Sequence, residues 1–207
     1  MENRYSAVLF DLLTGLLDSW TVWNRVAGSE AAGRRWRAAY LELTYGYGEY
    51  QPYESRVRIA ATRVGLPESL GPALARAWEE IEPWDDARPV LRELAKAHRL
   101  GVVTNCSERL GGAAARRLGV PFDVVVTAER AGFYKPDPAP YRLAVRELGM
   151  QPGEVLFVAG SAFDLVGTAR VGLDTYWHNR VGLKRPGEAP APLREARSLE
   201  DLFRDFG

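Results

Sequence analysis

Five short apolar runs, separated by stretches of helical periodicity, decide the class of fold open to this chain. Ala7-Val8-Leu9-Phe10, Leu100-Gly101-Val102-Val103, Val124-Val125-Val126, Val155-Leu156-Phe157-Val158 and Thr175-Tyr176-Trp177 are each too short for a stable helix and almost free of polar residues. Such runs read as strands covered on both faces. Residues 89–97, 110–118, 138–148 and 165–171 between them read as helices, and this alternation predicts an α/β fold with a parallel sheet and right-handed crossovers. Residues 19–84 break the alternation. They contain no strand-like run, but helix-like stretches around 34–45, 53–64 and 69–81 are separated by Gly46-Tyr47-Gly48 and Gly65-Leu66-Pro67. The expected organisation is a core of residues 1–18 and 85–207 with a helical cap, 19–84, inserted after the first strand; Pro83-Trp84-Asp85-Asp86 returns the chain to the core. The Gly-, Pro- and Ala-rich residues 182–192 read as an exposed connector. Leu199, Leu202, Phe203 and Phe206, behind a Ser198 N-cap, form one apolar helix face expected to dock on the sheet.

Charge narrows the choice of partner. Twenty-seven basic and twenty-seven acidic residues leave no net charge, so there is no electrostatic footprint for nucleic acid or an anionic membrane. A small molecule is the expected partner. No apolar stretch approaches the roughly 20 residues that span a bilayer, and Met1-Glu2-Asn3-Arg4 is too polar to begin a signal peptide. The single cysteine, Cys106, cannot form an internal disulfide, which together with the polar start predicts a cytoplasmic protein. Only Lys96, Lys135 and Lys184 represent lysine against a large excess of arginine, so each of the three draws attention.

The strand ends concentrate reactive side chains. Asp11 follows the first run directly, and ligands of open parallel sheets bind beyond the carboxyl ends of the strands. Asp11 also suits the structural task of capping a following turn. Thr104-Asn105 ends the second strand and offers a hydroxyl and an amide to an anion. Lys135 stands just before a helix start, between Tyr134 and Pro136-Asp137-Pro138. After the fourth apolar run, Gly160-Ser161-Ala162-Phe163-Asp164 carries a second carboxylate.

In this order, Asp11, Thr104, Lys135 and Asp164 resemble the four motifs of the haloacid dehalogenase superfamily, and the resemblance spans nearly the whole chain. It implies a Rossmann-like parallel sheet core with an inserted α-helical cap. It also implies that Asp11 attacks substrate covalently, that Thr104 binds an anionic group and that Lys135 steadies the nucleophile. Most members are magnesium phosphatases with a second aspartate two residues after the first, where this chain has Leu13. Leucine cannot protonate a leaving alcohol. The last motif also lacks the usual Gly-Asp. Its Ser-Ala-Phe-Asp is similar to the Asn-Ala-Trp-Asp of the hydrolytic 2-haloacid dehalogenases, and Trp36-Arg37 with Leu41 and Thr44 resembles the helix carrying their halide-binding arginine. Thr104-Asn105 resembles their Ser-Asn pair, Tyr141 their substrate-pocket tyrosine and Trp177-His178-Asn179-Arg180 their Trp-Ile-Asn-Arg. The chain departs at Leu13, where they have tyrosine, at Gly15, whose threonine is displaced to Thr14, at Ala159 for serine and at Ser161 for asparagine.

The resemblance thus implies a hydrolase without cofactor or metal, in which Asp11, Lys135 and Asp164 are catalytic. Asp11 would displace halide from a small 2-halocarboxylic acid, and water would hydrolyse the ester. Leu12, Leu13, Arg37, Thr104, Asn105, Tyr141, Ser161 and Phe163 are the expected substrate-binding residues, with Arg37, Asn105 and Phe163 at the departing anion and Thr104 with the loop amides at the carboxylate. Two rivals stand beside this reading: a Mg-dependent phosphatase or phosphotransferase, with Asp11 and Asp164 as ligands, and a binding protein of the same fold that has lost activity. Cys106 reads as a buried apolar residue. His98 and His178 lack the neighbours of a zinc site. Trp20, Trp23, Trp36 and Trp78 read as cap packing, while Tyr45, Tyr47, Tyr50 and Tyr53 suit a substrate entrance, cap packing or a homodimer surface.

Overall fold

The computed structural model describes residues 4–45, 48–187 and 189–206, with the Asp205 side chain excepted. Tyr47 and part of the Gly46-Tyr47-Gly48 break lie outside the described residues. Six parallel strands form one sheet: β1 (Ala7–Asp11), β2 (Arg99–Thr104), β3 (Val124–Thr127), β4 (Val155–Ala159), β5 (Asp174–His178) and β6 (Arg194–Ala196), in the order β3-β2-β1-β4-β5-β6. The fold is α/β and Rossmann-like. Strand order reverses beside β1, so the carboxyl ends of β1, β2 and β4 open on a crevice where ligands of such sheets bind. Phe10 pairs in register with Val102 and Val158, which brings the three strand ends level.

Side chains alternate along β1. Val8 and Phe10 face a cluster containing Leu91 and Leu94 of α5 (Ala87–Leu94) and Leu110 and Ala114 of α6 (Glu108–Arg116). Ala7 and Leu9 face the opposite cluster, with Val126 of β3. A single turn, α7 (Ala128–Ala131), follows β3; α8 (Pro138–Leu148) then contributes Tyr141 and Leu148 to that opposite cluster, and α9 (Asp164–Ala169) contributes Leu165. Both sheet faces are therefore dry, which explains why the strands read as unbroken apolar runs.

Between β1 and α5 the described chain is helical: α1 (Ser19–Val26), α2 (Glu30–Tyr45), α3 (Tyr53–Arg63), α4 (Leu70–Arg76) and a 3-10 turn at Ala77–Glu80. Trp23 and Trp36 pack with ring centroids 4.7 Å apart, and Tyr53 touches both Tyr40 and Trp78. Trp36 Nε1 donates to the Val57 carbonyl at 2.8 Å, while Trp78 Nε1 donates to the Leu110 carbonyl at 2.9 Å and so ties this segment to α6. The outgoing and returning chains meet where Leu17 bridges Pro83.

Three expectations are corrected. Phe203 on α10 (Glu200–Phe206) is 43% exposed, because the buried face of that one short helix is filled by Leu199 and Leu202. The 182–192 segment is not simply an exposed connector: Leu183 and Lys184 line the main cavity, and Ala189 is buried. Trp20 lines that cavity too, and is not wholly given to packing. No described helix is long and apolar enough to cross a membrane.

Candidate active site

The chain leaves β1 through a turn of π-helix, Leu12–Leu16, capped by the Asp11 side chain. Asp11 Oδ2 accepts the backbone N–H groups of Thr14 and Gly15, each at 3.1 Å, and a short hydrogen bond from the Thr14 hydroxyl. Asp11 Oδ1 accepts only from Lys135 Nζ, at 2.8 Å. The capping task and a reactive position are thus fulfilled by different oxygens of one carboxylate. Lys135 Nζ also lies 3.0 Å from Asp164 Oδ1, so one ammonium joins the two acids, and all three side chains are buried.

Electrostatics separates the two acids. Burial alone would raise the Asp11 pKa, but the charge and hydrogen bond of Lys135, with the Thr14 donors, outweigh it and hold the carboxyl below its ordinary value. Burial likewise raises Asp164; Lys135 opposes it, the nearby Asp11 charge adds to it, and the net shift is upward. For Lys135 burial favours the neutral amine, yet Asp11 and Asp164 more than reverse that, so the ammonium persists. Tyr141 Oη donates to Asp164 Oδ1 at 2.6 Å, while Asp164 Oδ2 is buried with no protein partner among the described residues.

Asn105, at the end of β2, grips the backbone of Lys135 from both sides: its Nδ2 donates to the Lys135 carbonyl at 3.0 Å, and the Lys135 N–H donates to its Oδ1 at 2.7 Å. Arg37 enters from α2, is buried, donates to Ser19 Oγ at 2.8 Å and stacks on Trp20 with its guanidinium carbon 3.9 Å from the ring centroid. Ser19 in turn donates a short hydrogen bond to the Leu13 carbonyl.

These groups surround a cavity of about 200 Å³. Of the residues expected there, Asp11, Leu13, Arg37, Asn105, Lys135, Ser161, Phe163 and Asp164 line it, joined by Thr14, Trp20, Tyr40, Leu41, Tyr45 and Lys184. The side chains of Leu12, Thr104 and Tyr141 do not. Leu12 is fully buried in the core on the α6 side, Thr104 is buried with its hydroxyl toward Cys106 Sγ, and Tyr141 is buried behind Asp164. These three side chains are set back from the cavity wall. Tyr45 caps the cavity, its ring 4.4 Å from Phe163 and its hydroxyl 3.3 Å from Ser161 Oγ. Tyr50 instead stacks on Tyr134, and Tyr53 packs inside the helical segment. The threonine displaced by one residue in sequence reaches the Asp11 carboxylate all the same, because the wider π turn brings Thr14 back to it. Nothing in the residue pattern announced that turn.

Magnesium requires near-octahedral oxygen ligands. The place between Asp11 and Asp164 is taken by Lys135 Nζ, and the Leu13 carbonyl is taken by Ser19. Among the described residues no three His, Cys, Asp or Glu side chains are grouped to share an ion. The donor set does not fit the metal.

Comparison with known proteins agrees with this geometry. The family model for haloacid dehalogenase-like hydrolases matches residues 7–172. An (S)-2-haloacid dehalogenase 4A of Burkholderia cepacia is 30% identical, over 98% of this chain and 95% of that protein. A solved L-2-haloacid dehalogenase from Xanthobacter autotrophicus, with chloropropionic acid covalently bound, superposes with a TM-score of 0.87 at 25% identity, over 97% of both chains. A HAD phosphatase from Thermococcus onnurineus, at 26% identity and 98% coverage of both chains, superposes less closely, with a TM-score of 0.66. A buried carboxylate at the end of β1, the lysine that bridges it to a second acid and a match running through most of the chain all lead to one assignment: this protein belongs to the haloacid dehalogenase-like hydrolases.

Proposed function

We propose that the protein hydrolyses small (S)-2-halocarboxylic acids. Asp11 Oδ1, which accepts one hydrogen bond where Oδ2 accepts three, keeps lone pairs for attack on the α-carbon. The carbon–oxygen bond forms as the carbon–halogen bond breaks, and the halide leaves with the bonding electrons toward Arg37, Trp20, Asn105 and Phe163. Water then adds to the Asp11 carbonyl carbon of the ester. Asp164, with a raised pKa and a free buried Oδ2, is suited to take its proton. Breaking the acyl–oxygen bond releases the 2-hydroxy acid and restores Asp11. Lys135 compensates whichever of the two acids is charged. Ser161 and Leu13 would shape the wall beside the substrate, and Tyr141 would orient Asp164. The helical insertion would act as the cap that keeps bulk water from the cavity.

The observation that carries this reading is Leu13 beside the Asp11–Lys135–Asp164 triad, with no third His, Cys, Asp or Glu side chain among the described residues grouped with the two acids to share an ion. Leu13 removes the phosphatase general acid from the same site. A chain with no net charge and one buried cysteine suits a cytoplasmic enzyme with a small-molecule substrate. The test is halide release from (S)-2-chloropropionate with and without EDTA. Equal rates are expected; chelator-sensitive phosphate release from phosphomonoesters, without halide release, would transfer the protein to the phosphatases.

A further inference from the structure

Two side chains outside the cavity hold the turn on which Asp11 rests. A turn of helix leaves its carbonyls without partners of its own, yet every carbonyl of the Leu12–Leu16 π turn is taken. The Leu17 N–H donates to the Leu12 carbonyl at 3.0 Å, and Ser19 donates to that of Leu13. The indole N–H of Trp84 donates to the Thr14 carbonyl at 3.1 Å, His178 Nδ1 to the Gly15 carbonyl at 2.8 Å and the backbone N–H of Trp84 to the Leu16 carbonyl at 3.0 Å. A carbonyl only accepts, so His178 carries its proton on Nδ1. Neither Trp84 nor His178 lines the cavity. Both are anchored: His178 is buried at the end of β5, and Arg180, paired with Asp86, packs over Trp84 with its guanidinium carbon 5.1 Å from the ring centroid.

The carbonyls held by these two side chains belong to Thr14 and Gly15, the residues whose N–H groups hold Asp11 Oδ2. One contact is relayed through a single peptide unit: the Thr14 carbonyl accepts from the Trp84 indole, while the Gly15 N–H of the same unit donates to Asp11. Hydrogen bonds in such a chain polarise one another, so the indole strengthens the donor on Oδ2. His178 fixes the next carbonyl along, and so the direction in which the backbone of Gly15 points. We infer that Trp84 and His178 are positioning residues, which brace the π turn from behind so that its N–H groups stay on Asp11 Oδ2 and leave Oδ1 to react. The inference rests on the dehalogenase reading for what Asp11 attacks, but not for how its carboxylate is held.

Trp84→Phe keeps the ring and removes its donor; His178→Leu removes the imidazole donor, and His178→Asn offers an amide N–H in its place. In halide release from (S)-2-chloropropionate, Trp84→Phe and His178→Leu should each lower kcat about three- to tenfold, the range of one hydrogen bond. KM should stay level, as for support felt at the reacting atoms and not by bound substrate, and His178→Asn should recover most of the loss. Carbon-13 NMR of protein labelled at aspartate carboxyls, with Asp11 assigned by its absence from Asp11→Asn, reads the same support without any substrate. The Asp11 pKa should rise in Trp84→Phe and His178→Leu, because the carboxylate loses hydrogen-bonded stabilisation, and fall back in His178→Asn. Should His178→Leu fail to fold, Trp84→Phe carries the test alone. A folded Trp84→Phe with wild-type kcat and wild-type Asp11 titration overturns the inference, as does a kcat loss with no change in that titration, which would be a structural effect only. The expected titration shifts in a protein whose wild type releases no halide support the inference while overturning the dehalogenase reading.

Discussion

Asp11 depends on Lys135 for its charge, and that dependence has consequences that pH can expose. A carboxyl whose folded pKa is depressed stabilises the native state above its unfolded value of 3.8, and that stability is lost as pH falls toward the folded value. The same depression keeps Asp11 ionised in acid. The acid limb of kcat/KM, which reports the free enzyme, is therefore expected below the ordinary carboxylate range of about 4; a limb near 6 would mean that Asp11 is not held this way. Lys135→Met should cost about 3–5 kcal/mol near neutral pH, because it strands two buried acids without a counter-charge. Both acids then have raised pKa values and bind protons more tightly when folded, so the sign reverses. The variant's Tm should climb as pH is lowered from 7 toward 5, and by more than the wild type's, in which only Asp164 of the pair is raised. A Tm deficit independent of pH would contradict the pairing.

The elements hold these residues at a tolerance set by backbone contact. A Cβ placed on Gly160, after β4, would lie 2.3 Å from Gly15 N and 2.4 Å from Thr14 Oγ1. Gly160→Ala should therefore push the π turn off Asp11. We expect a loss of about 1–3 kcal/mol in stability, typical of overpacking, and a fall in kcat of at least tenfold, since the Thr14 hydrogen bonds to a charged acceptor are disturbed. Urea unfolding and steady-state kinetics measure both; wild-type kcat in the folded variant would show that the turn is not needed. This turn also marks where the sequence stopped being legible. Asp11, Lys135 and Asp164 were readable because each adjoins a strand end or helix start of plain pattern. Thr14 was not, because its reach depends on helix pitch, nor was the facing of Thr104, because a strand-end hydroxyl turns either to the crevice or to the adjoining core. The short β6 and the cavity-facing turn at Lys184 were hidden in a Gly- and Pro-rich stretch whose composition signals only a loop.

At the scale of the molecule, the helical insertion brings Arg37, Trp20, Tyr40, Leu41 and Tyr45 over the carboxyl ends of the central strands and the loop before α8, which supply the acids and the lysine. Because the donor set does not suit a divalent ion, neither activity nor Tm should change after dialysis against EDTA; restoration of either by Mg would show that Asp11 and Asp164 hold one. The most direct test is hydrolysis of (S)-2-chloropropionate in heavy-oxygen water with enzyme in excess, followed by mass spectrometry of the Asp11 peptide and of the product. Covalent attack by Asp11 predicts the label in the Asp11 carboxylate and ordinary oxygen in the hydroxyl of the released acid. Label in the product hydroxyl with an unlabelled Asp11 would mean that water attacks the α-carbon directly.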